Sequence, residues 1–178
     1  MKPTTLCFVS DENGRILLGK KKRGFGIGKY NGFGGKRQDE SGETFRECAV
    51  REVFEESALL VDGNALDVVA LLEFRFPYAP ELSHISYVYT VSTREGIPLE
   101  TEEMEPCYFS VKELPFAEMW QGDAMWLPKV LSGKKAEGFI SFGPDNDSVE
   151  EMYFVEVEQV FESEDERRIA RHLREITA

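Results

Sequence analysis

The chain has 178 residues, of which 42% are hydrophobic and 30% charged, and its formal net charge is −12. This balance is typical of a globular domain and excludes collagen-like, disordered and membrane-spanning chains. The acidic excess argues against nucleic acid or an anionic membrane as a partner. The three cysteines are widely spaced and form no CxxC pair, which predicts reduced thiols and a cytoplasmic location.

The first predicted element is a hairpin, with strands at 4–10 and 16–21 around the turn sequence DENG. A glycine-rich loop is predicted at 24–35. Further strands are predicted at 65–76, 83–92, 107–111, 138–142 and 152–161. Helices are predicted at 44–57, at 123–131 and from residue 163 onwards. Because these elements mostly do not alternate as βαβ units, the pattern favours the α+β class, with a mixed or antiparallel sheet and helices on its faces.

The last predicted helix would begin with a capping box formed by Ser163 and Glu166. Its apolar residues recur at helical spacing and form a stripe that would pack on the domain or on a second subunit. The stripe consists of Ile169, Ala170, Leu173 and Ile176. We therefore expect a monomer, with a dimer through this helix as the alternative.

The basic residues are concentrated in the segment 15–37, which contains eight of them and no acidic residue. The same segment is rich in glycine, which lets a backbone approach a ligand closely. A compact anion is the expected partner of such a segment in an otherwise acidic protein. A solvated loop is the alternative interpretation.

Three glutamates, Glu52, Glu55 and Glu56, fall on one arc of about 100° on the helix predicted at 44–57. Like charges at this spacing repel each other, and they lie near the helix end where the dipole disfavours anions. The arrangement becomes favourable when divalent cations bind there, since Mg²⁺ prefers oxygen ligands. A solvated acidic face is the alternative interpretation.

The segment 35–59 resembles the Nudix box, the signature of the Nudix hydrolase family. The residues that match its pattern in register include Glu43, Arg51, Glu52, Val53, Glu55, Glu56 and Leu59. Two departures stand out. Seven residues instead of five separate Gly35 from Glu43, with the insertion around 39–41, and Ala58 replaces the closing glycine.

The resemblance extends beyond the box. The segments 21–36, 96–109 and 115–128 are similar to those of the oxidised purine nucleoside triphosphatases, the 8-oxo-dGTP diphosphatase branch. This similarity covers residues 4–155. It implies a Nudix domain over 1–160, in which a mixed sheet is sandwiched between helices, and an added C-terminal helix in an extension at 161–178.

The resemblance also implies a metal-dependent reaction with Mg²⁺ or Mn²⁺ as cofactor. The implied ligands are the Gly35 carbonyl and the carboxylates of Glu52, Glu55, Glu56 and Glu103, and these four glutamates would be the catalytic residues. Water would attack between the α- and β-phosphates of a purine nucleoside triphosphate. The products would be the monophosphate and pyrophosphate, as nucleotide-pool sanitation requires.

Eleven residues are implied as substrate ligands. They are Thr5, Lys21, Phe25, Asn31, Phe33, Gly34, Gly35, Lys36, Phe74, Trp120 and Asp123. Asn31 offers both a donor and an acceptor to a purine edge, and aromatic faces can stack a base. In this branch the tryptophan is followed by a proline and two aspartates, whereas here Gly122 stands where the first aspartate is expected. This departure bears on the preference for oxidised bases more than on purine triphosphate chemistry.

Two other functions remain open at this point. One is a Nudix hydrolase for another diphosphate, such as a dinucleoside polyphosphate or a nucleotide sugar. The other is a non-catalytic nucleotide-binding module, against which the intact Glu52, Glu55 and Glu56 argue.

Overall fold

The computed structural model describes residues 2–93 and 96–178. Its strands are β1 (Lys2–Ser10), β2 (Ile16–Lys21), β3 (Tyr30–Asn31), β4 (Asp67–Arg75), β5 (His84–Ser92), β6 (Met104–Phe109), β7 (Lys135–Phe142) and β8 (Val149–Val157). Its helices are α1 (Phe45–Ser57), α2 (Asp123–Leu131) and α3 (Glu166–Ile176). Short 3₁₀ turns join some of them, including one at 39–41 in the predicted insertion.

The strands form one mixed sheet in the described part of the chain, in the order β3-β2-β1-β5-β4-β7-β8, and β6 pairs with β2. β1 runs parallel to β5 and β4 runs parallel to β7. The other pairs are antiparallel. β4 and β5 are buried along nearly their whole length, as expected for central strands that are covered on both faces.

Helices cover both faces of this sheet. On one face α1 and α3 contribute to a hydrophobic cluster that contains Phe45, Ala49, Val53, Ile169 and Leu173. On the other face α2 contributes Trp126, Leu127 and Val130 to a second cluster. The predicted α+β class and the arrangement of a mixed sheet between helices are therefore confirmed.

Several predicted boundaries are wrong, including the starts of β7, at Lys135 instead of residue 138, and of β8, at Val149 instead of residue 152. β6 begins at Met104 instead of residue 107 and ends at Phe109, because a 3₁₀ turn starts at Val111. β8 ends at Val157 instead of residue 161. The predicted Ser163–Glu166 capping box does not form, because the Asp165 carboxylate caps α3 by accepting the Arg167 N–H at 2.8 Å.

The C-terminal extension is packed into the core. Ile169 and Leu173 are fully buried in the same cluster as the inner face of α1. The Tyr87 hydroxyl of β5 lies 3.0 Å from the Phe161 carbonyl oxygen and accepts the Ser163 N–H at 2.9 Å. The apolar stripe of α3 therefore docks on its own domain, which is one of the two arrangements expected. No helix among the described residues has the length and apolar character that crossing a membrane requires.

Residues at its two ends determine where α1 begins and ends. The Thr44 hydroxyl accepts the Glu47 N–H at 3.2 Å, and the Glu47 carboxylate accepts the Thr44 N–H at 2.8 Å, which completes a capping box. At the other end Ala58 adopts φ 60 and ψ 12, a left-handed conformation that glycine adopts more readily. Ala58, which stands where the Nudix box pattern has its closing glycine, therefore carries backbone strain.

This strain predicts that Ala58→Gly raises the free energy of unfolding by about 0.5–1 kcal/mol, after the greater flexibility of glycine in the unfolded chain is subtracted. Chemical denaturation of the two proteins would measure the difference. Ala49→Gly in the interior of α1 is the matched control, and it should lower the free energy of unfolding. A loss of stability in Ala58→Gly would contradict the prediction.

Candidate active site

A cavity lies where β1, the glycine-rich loop, the ends of β4, β5 and β7 and the start of α2 meet. The predicted substrate ligands that line it are Thr5, Lys21, Phe25, Asn31, Gly34, Gly35, Phe74, Trp120 and Asp123. Backbone pairing holds these distant segments together. The Thr5 N–H donates to the Gly35 carbonyl oxygen at 2.9 Å, and Phe74 of β4 is paired with His84 of β5.

Two predicted substrate ligands do not line this cavity. The segment 32–35 runs extended beside β1, so alternate residues face opposite sides. Gly32 and Gly34 face the cavity, whereas Phe33 is fully buried in the cluster beneath α1. Lys36 forms an isolated backbone bridge with Thr4 and is exposed.

The two glycines Gly34 and Gly35 permit close packing against the helix that carries the glutamates. A Cβ atom on Gly34 would overlap the Thr5 carbonyl oxygen, and one on Gly35 would overlap the Glu52 carboxylate. A side chain at Gly34 would force the loop away from β1, whereas one at Gly35 would displace the Glu52 carboxylate. The Gly35 backbone therefore lies directly against Glu52.

Glu56 is the most buried of the predicted metal ligands, with 3% of its surface exposed. Its Oε2 accepts the Gly34 N–H at 2.9 Å. The pKa of Glu56 is raised to about 8, mainly by burial; the hydrogen bond from Gly34 and the charge of Lys21 oppose this rise, and the negative charges of Glu52 and Glu103 contribute to it. A carboxylate at this place therefore lacks a cation that fully compensates its charge.

Arg51 links three glutamates of the Nudix-like segment. Its guanidinium donates to Glu43 at 2.7 Å, to Glu52 at 2.7 Å and to Glu55 at 3.0 Å. It also donates to the Lys36 carbonyl oxygen at 3.1 Å, which ties the loop to α1. The hydrogen bond from Arg51 lowers the pKa of Glu43, whereas burial raises the pKa of Glu52.

Glu103 directly precedes β6 and pairs with Lys21, which lines the cavity. The Lys21 ammonium donates to its Oε1 at 3.0 Å, and this hydrogen bond lowers the pKa of Glu103. Glu103 also influences Glu56 and Glu52 electrostatically. Glu52, Glu56 and Glu103 therefore belong to one electrostatic cluster.

Within the described residues, no three His, Cys, Asp or Glu side chains lie close enough together to hold one metal ion. Arg51 binds Glu52 and Glu55, and Lys21 binds Glu103, in this arrangement. The donor atoms offered are nevertheless all carboxylate and carbonyl oxygens, which suit Mg²⁺ or Mn²⁺. Together with the uncompensated charge at Glu56, this donor chemistry fits a hard divalent cation.

The opposite end of the cavity is aromatic. The rings of Phe25 and Trp120 are 4.8 Å apart, and Phe76 stacks on Phe142 with centroids 4.6 Å apart. Phe25 also meets Phe76 edge-on at 5.4 Å. Such flat apolar surfaces suit a stacked heterocyclic base.

Polar groups at this aromatic end are few and specifically placed. The Asp123 Oδ1 accepts the Trp126 Nε1–H at 3.2 Å, whereas Oδ2 is buried and has no hydrogen-bond partner among the described residues. Burial raises the pKa of Asp123 to about 7. The Asn31 Oδ1 accepts the Gly32 N–H at 2.8 Å, which leaves the side-chain amide donors of Asn31 for a ligand. An unpaired buried oxygen is costly unless a ligand pairs with it.

Sequence reasoning missed several lining residues, notably Lys29, Phe76, His84 and Phe142. Lys29 lay within the basic segment, but its charge alone did not separate it from the other lysines. Phe76 and His84 lie near the neighbouring ends of β4 and β5, which a predicted antiparallel pairing of these strands could have indicated. Phe142 carried no signal, because an aromatic residue at a strand end is usually core.

Comparisons with known proteins agree with this geometry. The NUDIX domain family matches residues 1–130. The oxidized purine nucleoside triphosphate hydrolase of Danio rerio is 42% identical over 147 residues, which cover 83% of this chain and 90% of that protein. The protein of the same name from Mus musculus is 44% identical over 135 residues, covering 76% and 83% respectively.

A solved structure supports the fold. The MutT protein from Bacillus halodurans superposes with a TM-score of 0.73 at 22% identity, over 86% of this chain and 97% of that one. At this identity the likeness concerns the fold alone. The family match over most of the chain and the two relatives show that the chain belongs to the Nudix hydrolase family.

Proposed function

We propose that this protein is a divalent-cation-dependent hydrolase of oxidised purine nucleoside triphosphates such as 8-oxo-dGTP, which sanitises the nucleotide pool. The names of the two relatives support this substrate class. The observation that carries the proposal is the cavity itself. It is lined at one end by Gly34, Gly35 and Lys21, which contact the glutamate cluster, and at the other by an aromatic slot with an unpaired buried oxygen on Asp123.

The proposed cation site uses the Gly35 carbonyl and the carboxylates of Glu52, Glu55, Glu56 and Glu103. Bound Mg²⁺ or Mn²⁺ would neutralise phosphate charge and make a coordinated water more nucleophilic. Glu103 is ionised at neutral pH because Lys21 lowers its pKa, so it would orient the attacking water. Lys21 would bind the polyphosphate beside the glutamates.

The base would stack in the aromatic slot between Phe25, Trp120 and Phe76. Its polar edge would meet the amide donors of Asn31 and the unpaired Oδ2 of Asp123. Buried polar groups of this kind discriminate strongly, because a base that fails to pair with them leaves them unsatisfied. Discrimination between oxidised and normal purines would therefore arise here.

Steady-state kinetics with 8-oxo-dGTP, 2-oxo-dATP and dGTP in the presence of Mg²⁺ would test this function, with released pyrophosphate as the readout. We expect a higher kcat/KM for at least one oxidised nucleotide than for dGTP. Equal turnover of oxidised and normal nucleotides, or none of the oxidised ones, would contradict the sanitising role.

A second candidate function is hydrolysis of a dinucleoside polyphosphate or a nucleotide sugar. Gly122 favours it, because a Cβ atom at this position would lie 3.2 Å from the Ile140 side chain. This position thus faces the core and offers no second acid to a base. The rates of product release from both compound classes, measured beside the rate from 8-oxo-dGTP under the same conditions, would distinguish the two functions.

Asp123→Asn should change the ratio of kcat/KM between 8-oxo-dGTP and dGTP by about tenfold or more, since it replaces an unpaired acceptor by an amide. The Mg²⁺ concentration for half-maximal activity should stay the same, because Asp123 lies at the aromatic end. A change in the metal requirement without a change in the ratio would contradict this assignment.

The same variant should show a characteristic pH dependence of stability. Because burial raises the pKa of Asp123 to about 7, its ionisation opposes folding increasingly as the pH rises from about 4 to 7 and not below that range. The free energy of unfolding of Asp123→Asn minus that of wild type should therefore be larger at pH 8 than at pH 4. Urea denaturation at both pH values would measure this difference.

A further inference from the structure

A second charged group lies at the aromatic end of the cavity. The Lys29 ammonium lies 5.0 Å from the centroid of the Trp120 ring, and Lys29 lines the same cavity as Asn31 and Asp123. The other lysine of the cavity, Lys21, is engaged by Glu103 at the glutamate end. Lys29 is therefore the cation on the side where the base would bind.

Specific contacts hold Lys29 in this place. Its Nζ donates to the Asp147 Oδ2 at 3.0 Å and to the Met119 carbonyl oxygen at 3.3 Å. Asp147 lies on the loop between β7 and β8, and Met119 directly precedes Trp120 in the chain. The side chain is only partly exposed, so both contacts lie within the fold. Anchoring on both sides fixes the ammonium against the aromatic slot.

The ammonium carries three hydrogens, and its protein acceptors belong to two groups, the Asp147 carboxylate, both of whose oxygens lie 3.0 Å from Nζ, and the Met119 carbonyl. One hydrogen can therefore turn to a ligand when the carboxylate is paired through a single oxygen. Asp123, whose Oδ2 has no partner among the described residues, is close enough to feel the charge of Lys29. The slot thus combines one fixed cation with one unpaired carboxyl oxygen. Gly122, where the family branch has a further acid, contributes no charge.

An ammonium group can only donate hydrogen bonds. It pairs well with a carbonyl oxygen on a base and poorly with an exocyclic amino group, which also presents hydrogens. Hydrogen bonds that involve a charged partner are the stronger ones. A lysine fixed at this edge therefore discriminates between an oxo and an amino substituent on a purine.

We propose that Lys29 is a specificity-determining residue whose ammonium, held by Asp147, donates to the carbonyl oxygen at C6 of the bound base and so favours 6-oxopurine over 6-aminopurine triphosphates. This inference rests on the proposed function, since it concerns the base that the same site accepts. On this proposal, Lys29 on the glycine-rich loop contributes base selectivity at a site where Gly122 offers no acid.

The test compares kcat/KM for 8-oxo-dGTP and 8-oxo-dATP, which carry an oxo and an amino group at the same ring position. Lys29→Met should lower kcat/KM for 8-oxo-dGTP about tenfold or more and that for 8-oxo-dATP by much less, as loss of a charge-assisted hydrogen bond predicts. Lys29→Arg retains a fixed donor, so its ratio of kcat/KM for 8-oxo-dGTP to kcat/KM for 8-oxo-dATP should stay close to that of wild type.

Lys20→Met is a matched control. Lys20 is also ion-paired at 3.0 Å, with Glu118, and also lies about as close to an aromatic ring, at 5.1 Å from Tyr30. It does not line the cavity, so its replacement should leave the ratio unchanged. Thermal unfolding of each variant shows whether the fold is retained.

The outcomes separate the two proposals. If wild type releases no pyrophosphate from either nucleotide, the proposed function itself fails, and this inference fails with it. If wild type is active but Lys29→Met lowers kcat/KM equally for both nucleotides, or leaves the ratio unchanged, Lys29 has only a structural role and the inference is overturned.

Discussion

Glu56→Gln should lower kcat for the preferred nucleotide by about 10²–10⁴-fold, the range typical of a lost catalytic or metal-binding carboxylate. Glutamine retains the shape of the side chain and an oxygen that can accept the Gly34 N–H. It cannot supply the negative charge that a divalent cation requires. Pyrophosphate release at saturating Mg²⁺ would measure the effect, and a mutant that kept most of its activity would refute the role given to Glu56.

The folded state should tolerate this substitution. Because burial raises the pKa of Glu56 to about 8, the charged form is costly when no cation is bound, and a neutral amide removes that cost. The melting temperature of Glu56→Gln without metal should therefore equal or exceed that of wild type. Glu158→Gln, at an exposed position after β8, is the control and should change neither activity nor stability.

Arg51→Met should destabilise the protein by about 3 kcal/mol at pH 7, because it leaves mostly buried carboxylates without their cation. Glu43 and Glu52 both lose hydrogen bonds of 2.7 Å in this variant. Arg46→Met, on the same helix, is the matched control. Arg46 pairs at 3.4 Å with the well-exposed Glu162 and donates to the Leu66 carbonyl oxygen at 2.7 Å, but it leaves no buried carboxylate unpaired, so its loss should cost less than that of Arg51.

The stability lost in Arg51→Met should depend on pH, and Glu43 determines how. Arg51 holds the pKa of Glu43 below its ordinary value of 4.5, so the stabilisation is present above that value and disappears as the pH falls through the lowered pKa. The difference between wild type and Arg51→Met should thus be full at pH 7 and smaller below about pH 4.5. Urea denaturation at pH 7 and pH 4 would measure it. An equal loss at both values would indicate a packing effect.

Much of the fold could be predicted because local patterns carry it. The helix predicted at 44–57 forms as α1 within one residue of those bounds, because its apolar residues, such as Ala49 and Val53, recur at helical spacing. Boundaries failed where a nearby competitor decided the outcome. Asp165 caps α3 in place of Ser163 because its carboxylate accepts N–H groups of the first helical turn. Such competition between adjacent acceptors leaves no periodic trace in the sequence.

The candidate site was predictable where its residues lie together in the chain and unpredictable where they do not. The resemblance implies that Phe33 lines the pocket, but its side chain lies in the core because successive residues of an extended backbone face opposite sides. Lys29 was one of eight basic residues in its segment, and only its contact with Trp120 and Asp147 singles it out.

By itself the amino-acid sequence determined the family, the fold class and the row of glutamates on α1, because each of these depends on residues at short, regular spacing. Only the tertiary structure decided that Arg51 and Lys21 engage those glutamates, that Asp123 keeps an unpaired buried oxygen and that Lys29 lies beside the aromatic slot. The physical reason is that burial, ion pairing and electrostatic coupling depend on which distant segments the sheet brings into contact.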